Sequence, residues 1–249
     1  METSEYKTMY EVEDSYWWYV GLRDLIFLCL KRQYPHGGNL KILDTGCGTG
    51  AFLKTLRTFG QTQGIDISEY ALTYCKKRGL DQILQGSVSS LPFKDNQFDI
   101  ITSIDILYHA QVDDDVKALQ EYRRILKASG RLILNLPAYE FLRSEHDKAI
   151  HTGIRYSKVE LIRKLELAGF KIQRITYRNS FLFPLVMIYR KLKKNSKIAS
   201  ESKSDLKALP IFVNNFLIEL LKIENLILQR IDFPFGSSLF CIAYKPSKE

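Results

Sequence analysis

The sequence predicts an α/β fold, in which a mainly parallel sheet of seven strands carries helices on both faces. Short runs rich in aliphatic and β-branched residues alternate with helical patterns along the chain, as they do in βαβ units. The run 98–104 is apolar at most positions, which is typical of a strand that is covered on both faces. These observations favour one layered α/β domain.

Each expected element is bounded by turn residues or helix caps. Ser68 and Ser157 are expected to cap helices that end at Gly79 and Gly169. The chain is predicted to be a single domain over 1–249, divided into an N-terminal arm and helix (1–39), a core (40–180), a helical insertion (181–236) and a last strand (237–249). The expected strands are 40–44, 63–67, 83–85, 98–104, 131–136, 170–177 and 238–244, with further helices at 51–59 and 113–127.

Composition excludes several classes of protein. Of the 249 residues, 45% are hydrophobic and 26% are charged, which argues against disorder. Four cysteines without CxxC spacing argue against a disulfide framework and a thiolate zinc site, and favour a reducing compartment. The sequence has neither a signal-peptide pattern nor an apolar run of the ~18–20 residues that cross a bilayer. We therefore expect a cytoplasmic protein.

Much of the net charge of +8 lies in one segment of the expected insertion. Residues 190–207 contain seven basic and two acidic side chains, a net of +5, between an apolar run (181–189) and an expected amphipathic helix (211–230). The segment can be a solvated loop, or it can meet anionic head groups at a membrane surface or on a lipid substrate. Nucleic acid is less favoured because no aromatic residues are interleaved with these charges.

A glycine-rich turn at 44–50 stands where the first expected strand becomes a helix. Glycines let the backbone turn sharply and let a ligand approach closely, and ligands of open α/β sheets bind at the carboxyl ends of the strands. Asp66 follows Gly46 by twenty residues, at the end of the second strand, where a carboxylate can accept both hydroxyls of a ribose. An adenosine-containing cofactor is expected. A nicotinamide dinucleotide stays open, because Gly46, Gly48 and Ala51 also satisfy its pattern.

A longer series of motifs resembles the class I S-adenosylmethionine (SAM)-dependent methyltransferases. The series comprises 44–50, 85–87, 91–93, 98–101, 103–109 and 124–134, so the resemblance covers roughly 40–177 and the last strand. It implies a Rossmann-like fold, a methyltransferase activity and SAM as cofactor. Ser87 stands at the position where many relatives have an acidic residue that contacts the adenine, so the sequence differs from the family pattern there. The cofactor-binding residues that the resemblance implies are Asp44, Gly46, Cys47, Gly48, Gly50, Asp66, Ile67, Ser87, Val88, Ser103 and Ile104.

The segment 16–23 resembles the paired-tryptophan arm of a narrower group of uncharacterised methyltransferases, often linked to surface glycan or lipid pathways. This resemblance implies a small-molecule or a lipid- or glycan-linked acceptor. Two adjacent Trp residues before the first helix can fold over a ligand or simply pack the arm. The candidate substrate-contacting residues are Trp17, Trp18, Tyr19, Arg23, Tyr108, His146, His151 and Arg155.

Methyl transfer to a hydroxyl or ammonium group needs a proton acceptor, and His109 is the first candidate. It follows the fourth strand, on the ligand side of the sheet, and imidazole titrates near neutrality. His109 can equally be structural or orient the substrate. Asp105, Asp147 and neighbouring histidines suggest a metal, but their spacing matches no strong signature, so no metal is predicted. Arg155 can bind an acidic substrate group or anchor its loop.

Three other functions remain open at this level. A dehydrogenase can use the same glycine turn, and a nucleic-acid methyltransferase would suit the basic composition. The sequence after the fourth strand, 103–106, lacks the Asn/Asp-Pro-Pro-aromatic motif of amino-methylating nucleic-acid enzymes. A binding module with the same fold but no turnover is the third alternative.

Overall fold

The computed structural model describes residues 3–144, 147, 151–195 and 209–247. Two helices precede the sheet, α1 (Thr3–Val12) and α2 (Trp17–Gln33). The strands are β1 (Leu40–Thr45), β2 (Gly60–Asp66), β3 (Ile83–Gln85), β4 (Phe98–Ile104), β5 (Leu126–Pro137), β6 (Lys171–Arg178) and β7 (Ser238–Tyr244). The other helices are α3 (Ala51–Leu56), α4 (Glu69–Lys77), α5 (Asp115–Ile125), α6 (Lys158–Leu167), α7 (Phe183–Asn195) and α8 (Ile211–Leu228), with a 3₁₀ turn at Glu140–Leu142.

The seven strands form one sheet in the order β3-β2-β1-β4-β5-β7-β6. Strands β1 to β5 pair in parallel, and β7 lies antiparallel between β5 and β6. The predicted mainly parallel, Rossmann-like fold is confirmed. The strand order reverses at β1 and β4, and a crevice at the carboxyl ends of such strands is where α/β sheets bind ligands.

Hydrophobic cores lie on both faces of the sheet. Successive residues of a strand point to opposite faces, and accordingly Ile101 packs with the core beneath α5 and α6, while Ile100 packs with the core beneath α2 and α8. This double coverage explains why the β4 sequence shows no polar alternation.

The helix expected at 113–127 is shorter in the structure, because β5 already begins at Leu126. Its start is fixed by Asp114, whose Oδ1 accepts a hydrogen bond from the Lys117 amide at 2.9 Å. The sequence suggested that the paired tryptophans precede the first helix, and the structure differs. Trp17 and Trp18 form the first turn of α2, after the additional helix α1.

The expected insertion contains α7 and α8, and the two helices take different positions. Helix α8 packs on α2, where the Asn225 Nδ2 atom donates to the Gly21 carbonyl at 2.8 Å and to Asp24 Oδ2 at 2.9 Å. A Cβ atom on Gly21 would overlap the Leu221 side chain, so the two helices meet with almost no space between them. Helix α8 thus supports the arm through α2. In the described residues, no helix is both long and apolar enough to span a membrane.

Candidate functional site

A cavity of about 540 Å³ opens at the carboxyl ends of β1 and β4. Its walls come from the glycine-rich turn after β1, the ends of β2 and β4, the arm and α7. It gathers most of the residues singled out from the sequence. Those are Trp17, Trp18, Tyr19, Asp44, Gly46, Cys47, Gly48, Asp66, Ile67, Ser87, Val88, Ile104, Tyr108, His109 and Arg155.

The glycine-rich turn needs glycine at two positions. Gly46 and Gly48 have φ angles of +69° and +53°, in the left-handed region that side chains disfavour. A Cβ atom on Gly46 would also collide with the Ile106 side chain, and one on Gly48 would lie 2.8 Å from the Met9 Cε atom. The turn is thus a cradle of bare backbone, held between the loop after β4 and helix α1.

Two carboxyl groups flank this cradle. Asp44 is buried and accepts a hydrogen bond from the Thr102 hydroxyl at 2.6 Å, and burial raises the pKa of Asp44 to about 7. Asp66 accepts from the Gly48 amide through Oδ2 and from the Ser68 amide through Oδ1, both at 2.9 Å, and burial raises its pKa. Asp44 lacks a hydrogen bond or ion pair from a basic side chain of the described residues. It therefore fits a ligand that brings a positive group.

Helix α1 closes the cavity at the glycine-rich turn; the sequence predicted an arm and helix over 1–39 but marked none of the residues that make this contact. Tyr6, Met9 and Glu13 line the cavity. Glu13 is buried, accepts a hydrogen bond from the Thr49 hydroxyl, and pairs with the Arg78 Nη2 atom at 2.9 Å. Burial raises the pKa of Glu13 against the opposing effect of these two partners. No motif marks these residues; a buried acid directly after a short helix becomes visible only in the structure.

Aromatic rings form the opposite end of the cavity. The Trp17 and Trp18 rings meet edge to face at 5.8 Å, and the Tyr108 ring stacks on the His109 imidazole at 4.5 Å. The Trp17 Nε1 atom is buried and has no hydrogen-bond partner among the described residues. The tryptophan pair therefore packs within the arm and also lines one wall of the cavity.

Arg155 anchors its loop. Its Nε and Nη2 atoms donate to the Asp147 carboxylate at 2.8 and 3.0 Å, and Nη1 donates to the Ala138 carbonyl at 3.1 Å. Burial alone would raise the pKa of Asp147, but the Arg155 charge and the Ser144 donors outweigh it and hold that pKa below its ordinary value. Of the two expected roles of Arg155, the described contacts support the structural one.

Four expected residues do not line the cavity. Gly50 faces α4 instead, and the buried Ser103 hydroxyl lies 3.1 Å from the Tyr122 hydroxyl. Arg23 donates to the Glu13 and Asp14 carbonyls in the turn between α1 and α2, so it holds the arm. His151 is exposed.

The candidate metal-binding residues after β5 do not form a metal site in the described part of the chain. No group of three or more His, Cys, Asp or Glu side chains is placed to hold a metal ion there. His146, the remaining candidate, lies outside the described residues.

Comparison with known proteins places these features in a family. A methyltransferase domain model matches residues 43–134. Two uncharacterised proteins of Methanocaldococcus jannaschii are 34% identical over 155 residues and 32% identical over 149 residues. The matches cover 62% and 57% of this chain and 64% and 68% of those proteins, so the chain spans just under two thirds of the first relative's length.

The fold is shared with solved structures. A chain in a complex of the Haloferax volcanii Trm112 methyltransferase activator superposes with a TM-score of 0.62 at 19% identity, covering 98% of this chain and 95% of that one. Identity at this level shows the fold alone. Together, the strand order, the glycine cradle at 46–48 and the matching domain model assign the chain to the class I S-adenosylmethionine-dependent methyltransferases.

Proposed function

We propose that the protein transfers a methyl group from SAM to a small molecule or to a lipid- or glycan-linked acceptor. The observation that carries the proposal is that one cavity joins the glycine cradle to the aromatic wall of the arm. A donor at one end and an acceptor at the other would meet inside it. Holding two reactants in line can supply about 7–11 kcal/mol of the barrier.

The cofactor end fits SAM, which supplies an activated methyl group on a sulfonium when it is bound. Asp44 would take the ammonium of the methionine part, because this buried carboxyl has no cation beside it. Asp66 would accept the ribose hydroxyls, since both its oxygens are already aligned by backbone amides. Ser87 and Val88 would lie along the base.

The acceptor end fits a substrate with an apolar or ring-shaped part. Aromatic surface comes from Trp17, Trp18, Tyr19 and Tyr108. His109 lies on the same wall, where it would accept a proton from the substrate or orient it.

The decisive experiment uses methyl-labelled SAM and cell extract, separated into lipid, aqueous and macromolecular fractions. We expect label in the lipid or aqueous fraction, or in glycan. Label in nucleic acid alone would overturn the acceptor assignment in favour of the nucleic-acid alternative. SAM, rather than NADH, should raise the melting temperature; the opposite result would favour the dehydrogenase.

We also propose that this protein is cytoplasmic and touches an anionic membrane surface through the insertion. Helix α8 exposes an apolar stripe on the side away from α2, with Ile211 77% exposed, Phe212 72% and Phe216 66%. The sequence that leads into this helix carries the net charge of +5 at 190–207, which complements anionic head groups.

Vesicles test this contact. Phosphatidylglycerol vesicles should sediment the wild type, and phosphatidylcholine vesicles should not. The double variant Phe212→Ser/Phe216→Ser should lose binding, while Leu167→Ser, which changes an equally exposed residue of α6 on the other face of the sheet, should keep it. Equal binding by all three proteins would refute the α8 contact.

A further inference from the structure

Asp105 occupies a special position in the cavity. It comes directly after β4 and lines the cavity, and its φ angle of 55° lies in the left-handed region. Aspartate tolerates this conformation better than most residues, but not without cost. Such backbone conformations persist where the surrounding structure enforces them, and they cluster at functional sites.

The neighbouring strand enforces this conformation. The Asp105 amide donates to the Asn135 carbonyl at 2.9 Å, and the Asn135 Nδ2 atom donates to Asp105 Oδ1, also at 2.9 Å. Asn135 is fully buried in β5. One rigid residue, Asn135, thus fixes both the backbone and the side chain of Asp105. A functional group that must keep one orientation needs such support.

The second carboxylate oxygen is left for a ligand. Asp105 Oδ2 accepts no hydrogen bond from the described residues, and the side chain lines the cavity. A carboxylate has room for several hydrogen bonds, so this oxygen can receive a proton from a group bound in the cavity.

The charges around Asp105 favour a carboxylate that ionises near neutrality. Arg178 at the end of β6 and Arg155 stabilise its charge, while burial disfavours it and raises the pKa of Asp105 to about 6.

Two tyrosines and an aspartate around it do not compete for the proton at this pH. Tyr19 of α2 and Tyr108 of the same loop have pKa values raised by burial and by Asp105, so they stay neutral. Asp147 is engaged by Arg155. His109 stands four residues further along the loop, stacked on Tyr108.

We propose that Asp105 accepts the proton from a hydroxyl or amine acceptor as its oxygen or nitrogen is methylated, with His109 orienting the substrate. The acceptor's lone pair forms the bond to the methyl carbon, and the carbon–sulfur bond breaks with its electron pair passing to sulfur. The acceptor's proton moves to Asp105 Oδ2 and then to water. This assignment rests on the proposed function and narrows its acceptor to one with a proton on O or N.

The test measures label transfer into the extract fractions at saturating SAM between pH 5 and 8.5. The wild-type rate should rise through about pH 6 and then level off. Asp105→Asn should lower it about 100-fold and abolish the rise, with SAM affinity by calorimetry unchanged within about twofold. Asp105→Glu should restore part of the rate, because a carboxylate returns. His109→Asn should keep the rise near pH 6.

Two results would overturn the assignment. One is an Asp105→Asn rate within about threefold of the wild type with the same pH profile. The other is a rise that disappears in His109→Asn and persists in Asp105→Asn.

If the wild type labels nothing, the proposed function fails. The role of Asp105 is then decided by a second measurement, the number of protons released when SAM binds at pH 6. Calorimetry in buffers of different ionisation enthalpy should show less release in Asp105→Asn than in the wild type. Equal release would refute an ionisable Asp105 facing the cavity.

Discussion

The Arg178 guanidinium lies 5.2 Å from the centre of the Trp18 ring. Arg178 is fully buried, and its three side-chain nitrogens have no hydrogen-bond partner among the described residues. Burial lowers its pKa to about 10, while the nearby charges of Glu224 and Asp105 act in the opposite direction. The end of β6 and the start of α2 are thus held together by a cation–π contact between Arg178 and Trp18 and not by hydrogen bonds of the guanidinium.

Replacing Trp18 should therefore destabilise the fold more than replacing its neighbour. We expect Trp18→Leu to lower the free energy of unfolding by about 3 kcal/mol, from lost packing and a lost partner for a buried cation. Trp17→Leu, whose ring does not cover Arg178, is the matched control and should cost less. Urea unfolding measures both, and equal losses would contradict a stabilising role of the Arg178–Trp18 contact.

Asp66→Ala should abolish measurable SAM binding in calorimetry. The variant loses the acceptor for ribose hydroxyls and also the carboxylate that aligns the Gly48 and Ser68 amides. Asp81→Ala, which removes an exposed acid before β3, should bind SAM as the wild type does. Unchanged affinity of Asp66→Ala would refute the assigned cofactor position.

Glu13→Gln should loosen α1 from the cofactor end. The change removes the charge from a buried pair with Arg78, whose other carboxylate partner, Asp14, is largely exposed, and weakening a buried ion pair is costly. We expect SAM to dissociate about tenfold faster, equivalent to about 1.4 kcal/mol, in stopped-flow displacement. Lys7→Ala breaks an exposed pair of the same helix and should leave the rate unchanged. A rate in Glu13→Gln equal to that of the wild type would show that α1 does not retain the ligand.

The stability of the SAM-free protein should depend on pH through Asp44. Its folded-state pKa of about 7 lies above the unfolded value of about 3.9. The neutral carboxyl stabilises the fold fully below about pH 4, and this contribution is lost as pH rises towards about 7. The free energy of unfolding of Asp44→Asn, relative to that of the wild type, should thus increase between pH 4.5 and 7 when it is measured by urea unfolding. A constant difference would argue that the pKa of Asp44 is not raised.

The sequence indicated those parts of the site that depend on local backbone chemistry. The strand–turn–helix at 40–56 is visible because that turn needs glycines at a fixed spacing. Asp66 is visible because it follows Gly46 by twenty residues. Asp105 appeared in the sequence only as a weak metal candidate. Its role depends on Asn135, thirty residues away, and on a cation from β6. Residues that come together from different strands cannot be recognised from a local sequence pattern.

The sequence predicted an N-terminal arm and helix over 1–39, but it did not reveal the contacts of α1, for a related reason. The acid that follows this helix, Glu13, contacts the glycine turn and Arg78 at the end of α4, so no pattern within the helix reveals these contacts. The exposed stripe of α8 was visible as an apolar periodicity, but the sequence could not tell which side faced α2. That side is set by Gly21, which lets Leu221 approach.

The antiparallel placement of β7 has a consequence for synthesis on the ribosome. Strand β6 hydrogen-bonds to β7 and to no other strand of the described sheet. Until β7 has been made, β6 has no neighbour and the edge of β5 stays open. A nascent chain that ends before Ser238 would therefore expose two unpaired edges, which are sites of aggregation. Completion of the sheet, and of the cavity wall at Ser237 and Ser238, must wait for the emergence of β7.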